Sequence, residues 1–193
     1  MIASLVSINR AAVKKLNLNN PYAIHKLVYS LFPGTKREFL YYEKGGSFDF
    51  KNILILSTSQ PVLVPHILIE SKIVPKSFLQ HNYYAFQILL NPVEQLVGEK
   101  NKNPVLGKDS LHNWFIDKQK NWGFSADPDS LEIFNQGVTI FEKQMGTVTF
   151  NKAEFRGILK VENYEDFIRS FYNGIGRGKA FGFGLLQLKT LKF

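Results

Sequence analysis

Residues 2–8, Ile-Ala-Ser-Leu-Val-Ser-Ile, set apolar side chains among small ones over a strand's length and predict a β-strand. Asn20-Pro21 then marks a helix start, with asparagine as the cap and proline in the first turn, where its missing N–H costs nothing. Beyond it, Ile24, Leu27, Val28 and Leu31 recur at the spacing of a core-facing helical stripe, which Phe32-Pro33-Gly34 brings to an end. Residues 37–44 and 52–59 are strand-like and flank a Gly-Gly turn, predicting a hairpin. Residues 62–70 suit a short second helix, and 82–92 a further strand. Strand, helix, strand, strand, short helix, strand is the ferredoxin-like βαββαβ order.

After Pro92 the pattern begins again. Val93–Val97 is short and apolar, and residues 99–108 form a polar, basic connector. Residues 109–122 are predicted helical with Asp109 as cap, and 131–141 and 146–161 are strand-rich, meeting in a turn at Lys143-Gln144-Met145-Gly146. A helix over 163–174 closes on glycine, and residues 185–193 make a last strand. The expected architecture is an α+β chain of two tandem ferredoxin-like domains, residues 1–92 and 93–193.

The chain has 193 residues, 45% of them hydrophobic, enough for packed cores. Lys and Arg number 24 against 16 Asp and Glu, for a net charge of +8, which favours a polyanionic partner such as nucleic acid. With no cysteine there are no disulfides and no thiolate metal sites. The N-terminal stretch has neither the basic start nor the long apolar core of a signal peptide, and no apolar run reaches membrane-spanning length. The expectation is a soluble cytoplasmic protein without a membrane association.

Three constellations bear on chemistry. The first is Gly-Ile-Gly-Arg-Gly-Lys-Ala-Phe-Gly-Phe-Gly over residues 174–184, in which Gly174, Gly176, Gly182 and Gly184 keep the spacing G-x-G-x5-G-x-G. It follows a helix and precedes a strand, the reverse of dinucleotide and P-loop order, and no Lys-Ser/Thr pair follows it. This argues against a nucleotide-binding metabolic enzyme. So many glycines imply close approach, either to a nucleic-acid backbone or to the opposing domain, with Arg177 and Lys179 adding charge. The second is Tyr22 and His25, three apart on one helix face with Tyr29 and off the apolar stripe, where a histidine can move protons near neutral pH. The third is the hairpin with Lys143, Lys152 and Arg156, which suits either a nucleic-acid groove or a solvated face. No paired carboxylates of metal-nuclease type stand out; Asp127 and Asp129 read as turn residues, and no metal site is expected.

The glycine loop with its following apolar pair resembles the signature of the repeat-associated RNA-processing proteins of CRISPR systems. The N-terminal strand, Asn20–Lys26, Leu31–Lys44, Leu89–Pro92 and Phe155–Val161 are similar to the CasE-type endoribonucleases of the type I-E Cascade complex, so the resemblance spans nearly the whole chain. It implies two ferredoxin-like domains and cleavage of CRISPR-repeat RNA at the base of a stem-loop without metal or other cofactor. The 2′-hydroxyl would attack the adjacent phosphorus, leaving a 2′,3′-cyclic phosphate and a 5′-hydroxyl. His25 would be general acid or base, and Tyr22 would orient the reacting groups or assist proton transfer. Lys143, Lys152 and Arg156 would hold the RNA stem, and Arg177 and Lys179 would contact phosphate beside the glycine loop. Some members carry a basic residue where this chain has Ser30, so the transition-state cation is sought among Lys26, Lys36 and Arg37. Implied partners are the repeat stem-loop RNA and the other subunits of a Cascade-type complex, the protein being a monomer on its own. The rival reading is a non-catalytic RNA-binding subunit, which would need neither Tyr22 nor His25.

Overall fold

The computed structural model describes residues 1–34, 36–47, 50–95, 98, 102–143 and 146–191, without the side chains of residues 46, 47, 142 and 143. The first half contains β1 (Ile2–Asn9), α1 (Arg10–Lys15), α2 (Pro21–Ser30), β2 (Phe39–Ser47), β3 (Phe50–Ser57) and β4 (Ile67–Ile73). The second contains β5 (Tyr83–Leu90), β6 (Val93–Glu94), β7 (Asn103–Pro104), α3 (Lys108–Gln119), β8 (Phe124–Ala126), β9 (Glu132–Lys143), β10 (Gly146–Val161), α4 (Tyr164–Asn173) and β11 (Gln187–Thr190). No helix among the described residues is long and apolar enough to cross a membrane.

Two larger antiparallel sheets result, beside the two-stranded β6–β7 pair. The first runs β2-β3-β1-β4 and the second β11-β5-β10-β8, with β9 paired to β10. Read within each half, both follow the ferredoxin-like strand order, fourth-first-third-second. Helix α2 begins where expected, the Asn20 side chain accepting from Ala23 N at 2.8 Å. The unforeseen α1 is a single short turn capped the same way by Asn9.

The sequence-based layout needs three corrections. Residues 67–73 are a strand paired along its length with β1, and residues 58–66 contain no helix. Pro61 and Pro65 explain this, since each lacks an N–H and biases its predecessor towards extended backbone. Consequently β4, not residues 82–92, closes the first sheet. β5 is the first strand of the second sheet, in register with β10 from Tyr83↔Lys160 to Leu90↔Ala153. The sheets therefore part between Ile73 and Tyr83 rather than at residue 92. Last, the final strand covers Gln187–Thr190 instead of starting at residue 185, and residues 192 and 193 of that expectation lie outside the described residues.

Phe39-Leu40-Tyr41-Tyr42 shows how the halves join. All four residues are buried, so this stretch of β2 is covered on both faces. Phe39 and Tyr41 belong to the core under α2 with Val6, Ile24, Val28 and Ile53. Leu40 and Tyr42 join the larger core of the second half, with Phe86, Leu90, Phe155 and Leu185. Burial and the nearby Glu43 carboxylate push the Tyr41 phenol well above its usual range. Tyr42 shifts the same way, from burial and then Glu154.

Glu154 is 5% exposed and sits where the register of the β9–β10 hairpin slips. Its carboxylate accepts from Tyr42 Oη at 2.9 Å, Asn135 Nδ2 at 3.0 Å and Gln87 Nε2 at 3.4 Å. One buried anion thereby ties β2 of the first sheet to β5, β9 and β10 of the second. Tyr42→Phe removes a hydrogen bond to this charged group and is expected to cost about 1–3 kcal/mol. Thermal unfolding checks this: an unchanged midpoint would show that the phenol contributes nothing across the junction.

Candidate active site

Helix α2 projects Tyr22, His25 and Tyr29 from one side while Ile24, Leu27 and Val28 enter the core. His25 is half-buried beneath the glycine-rich loop. Its Nδ1 lies 2.7 Å from the carbonyl oxygen of Ala180. A carbonyl only accepts, so Nδ1 carries the proton, and in the neutral ring Nε2 holds the lone pair. The ring stacks on Phe181, with centroids 4.8 Å apart and planes 18° apart, and on Tyr22 at 5.6 Å and 12°. Tyr29 meets it at 4.4 Å, tilted 45°, and is itself held edge-on by Phe39. The loop and the helix, separate constellations in the sequence, form one site.

The loop's glycines answer the question of close approach. Gly174, Gly182 and Gly184 are buried against protein. A Cβ at Gly184 would overlap the carbonyl oxygen of Ile175, and one at Gly182 would lie 3.0 Å from the Tyr41 ring. Gly174 similarly abuts Leu40, leaving Gly176 as the exposed member of the four. Of the two neighbours expected, a nucleic-acid backbone or the opposing half, these three meet the second: they let the loop close on itself and on β2. Ile175 N donates to Gly184 O and Gly184 N to Leu89 O, fastening the loop to β5.

The remaining cations sort by position. Lys26 Nζ stands 4.6 Å from the Tyr22 ring centroid, beside the face of α2 that carries His25. Arg37, Arg177 and Lys179 line one groove beside the loop. Lys179 donates to Asn173 O at 2.9 Å, and its pKa is lowered by burial and then by the Arg37 charge. Lys36 is exposed and borders a smaller hollow with Arg37. Lys152 lines a cavity of about 250 Å³ under the loop, with Ile24, Tyr41, Phe181 and Gly182. Arg156 is engaged by Glu132, its Nη2 2.6 Å from the carboxylate, on the sheet below the hairpin's register slip. The Lys143 side chain lies outside the described residues. Ser30, in place of a basic residue, donates to Leu27 O at 2.7 Å and closes the helix end. Among the described residues no group of three or more His, Asp or Glu gathers as a metal ion would need.

Sequence reasoning placed Tyr29 on the face of His25 but missed Ala180 and Phe181 as its partners. A backbone carbonyl leaves no residue signature, but a phenylalanine between loop glycines was a visible hint of a ring to be stacked upon.

The family model for CRISPR associated protein matches residues 1–190. Comparison with the curated proteins finds no match. Among solved structures the chain is similar to the CRISPR-associated protein Cas6e from Escherichia coli K-12, at 21% identity and TM-score 0.77, covering 99% of this chain and 100% of that one. It is also similar to Thermus thermophilus Cse3 bound to an RNA representing a pre-cleavage complex, at 17% identity and TM-score 0.77, covering 98% and 99%. A third likeness is to a chain of a CRISPR RNA-guided surveillance complex, at 15% identity and TM-score 0.73, covering 98% and 99%. These likenesses carry the two-ferredoxin fold from end to end. With the family model running over almost its whole length, the chain belongs to the CRISPR-associated protein family.

Proposed function

We propose that the protein is an endoribonuclease that cleaves CRISPR-repeat RNA at the base of a stem-loop, without a metal ion, and retains the product. The observation that carries this reading is the anchored His25. With Nδ1–H committed to Ala180 O, the ring presents Nε2 for proton exchange. In the neutral ring Nε2 takes the proton of the 2′-hydroxyl as its oxygen bonds to phosphorus. As imidazolium, the same nitrogen returns a proton to the 5′-oxygen as the P–O5′ bond breaks. The products are a 2′,3′-cyclic phosphate and a 5′-hydroxyl, with no water consumed.

Tyr22, stacked beside the ring, orients the reacting groups and helps the proton move. Lys26, poised over Tyr22, supplies a cation beside this pair and stabilises the charge developing on the phosphoryl oxygens. Lys152 on the hairpin, with Arg177 and Lys179 beside the loop, holds phosphate. Complexes resembling the solved surveillance assemblies would then keep the processed RNA through this subunit. Incubation with the stem-loop repeat of the source genome in EDTA tests the reading. Fragments ending in a cyclic phosphate and a 5′-hydroxyl are expected; intact RNA, or 5′-phosphate ends, would overturn it. Lys26→Ala is expected to slow single-turnover cleavage by roughly 10²-fold with binding retained. An unchanged rate would return the cation's role to Arg37 or Lys36.

A further inference from the structure

Among the described residues, β4 pairs with β1 on one side and with no strand on the other, so it forms an edge of the first sheet. Such edges are usually blunted by a proline, a bulge or an isolated charge. β4 is regular instead. It follows β1 from Ile2↔Ile73 to Ile8↔Ile67 without a slip, and Pro65 and Pro75 stand outside it. Its apolar side chains are left open, Leu68 being 61% and Ile73 77% exposed. Lys72 alone would blunt the edge, but Glu70 lies two residues away on the same face of the sheet.

We infer that β4 pairs antiparallel with the β4 of a second copy of this chain, joining the two four-stranded sheets into one. Equivalent antiparallel strands lie side by side only about a two-fold axis perpendicular to the sheet, which keeps facing residues on one face. One residue then faces its own copy, and the charges choose which. With Ser71 at the axis, Glu70 of each copy meets Lys72 of the other, Ile69 meets Ile73, and Leu68 meets Val74. Every pair is complementary, and Pro75, lacking an N–H, ends the ladder. An axis at Glu70 or at Lys72 sets like charges face to face. One at Ile69 puts Glu70 against Leu68, and one at Ile73 runs Ser71 onto Pro75. The loop that holds His25 packs on Tyr41 of β2, at the opposite edge of the sheet, so pairing through β4 leaves both sites open. The inference does not depend on the endoribonuclease reading. The monomer implied by the family resemblance is, on this inference, the dilute form.

Sedimentation velocity of RNA-free protein tests this, in about 0.15 M salt, where the net charge of +8 on each copy is largely screened. A single ladder makes a small interface, so the series runs up to about 100 μM protein. Wild type is expected to rise with concentration from 22.1 kDa towards twice that mass. Glu70→Lys and Lys72→Glu each set like charges opposite one another at both charged pairs, and each should weaken the dimer by about tenfold or more. Both side chains are exposed, so the fold is expected to tolerate the changes. Mixed in equal amounts, the two variants again match ammonium to carboxylate at both pairs, and the dimer should return. Wild type that stays at 22.1 kDa throughout, or variants that associate as strongly as wild type, would overturn the inference. So would a mixture that remains monomeric while wild type dimerises.

Discussion

Cleavage of repeat RNA by His25→Ala is expected to fall by about 10³-fold in single turnover, with RNA affinity retained. Alanine removes the imidazole on α2 that anchors to Ala180 O and, in the proposed reading, exchanges protons. His25→Asn separates these roles. The asparagine amide can still donate to Ala180 O, replacing the 2.7 Å bond of Nδ1, but it cannot accept and return a proton near neutral pH. Both variants should therefore be equally slow. Substantial cleavage by His25→Asn would mean that the ring's contribution is structural and that protons move elsewhere. Retained affinity matters equally, because a loss of binding would trace the defect to a displaced loop rather than to chemistry.

Gly184→Ala is expected to lower the thermal midpoint by roughly 6–12 °C, corresponding to about 3 kcal/mol in a chain of this size. The backbone there is left-handed, at φ +81°, and the added Cβ would overlap the carbonyl oxygen of Ile175. Relief would require breaking the bonds from Ile175 N to Gly184 O and from Gly184 N to Leu89 O. Gly176→Ala is the internal control. Its φ is +74°, but the new Cβ would meet only Leu90, at 3.6 Å, so the left-handed conformation alone costs about 1 kcal/mol. Circular dichroism melting of the two variants decides whether steric exclusion is the reason for glycine at 184. Equal shifts would say that it is not. Cleavage by Gly184→Ala should fall as well, since the same loop carries Ala180.

Where local chemistry decides structure, the sequence was readable. Asn20-Pro21 starts α2, the Ile24–Leu31 stripe enters the core, and Lys143 and Gly146 face each other at the end of the β9–β10 hairpin. That the chain holds two ferredoxin-like halves was legible, although the second helix and closing strand read for the first half are not the ones it has. Sheet membership could not: Tyr84, Phe86, Ile88 and Leu90 alternate in the same way whichever sheet they join. The strand at 67–73 was lost because an apolar run between prolines fits a short helix as readily as an edge strand. At the site, Tyr22 and His25 stood out by type and spacing. What orients them did not, because the acceptor is a main-chain carbonyl that any residue at 180 would supply. The glycine count signalled close packing, but only coordinates reveal that the neighbours are Leu40, Tyr41 and Ile175.

The bond from His25 to Ala180 spans 155 positions of chain. In the proposed reading, the carbonyl that sets the imidazole's tautomer leaves the ribosome 155 residues after the histidine it holds. An incomplete or proteolytically shortened polypeptide thus carries the reactive side chains unarmed, and cellular transcripts are spared until the last elements dock. Chains stalled before residue 174 should show no repeat cleavage, and activity in them would break this link. Splitting the proposed centre between segments so far apart in the chain makes docking of the loop its safety catch.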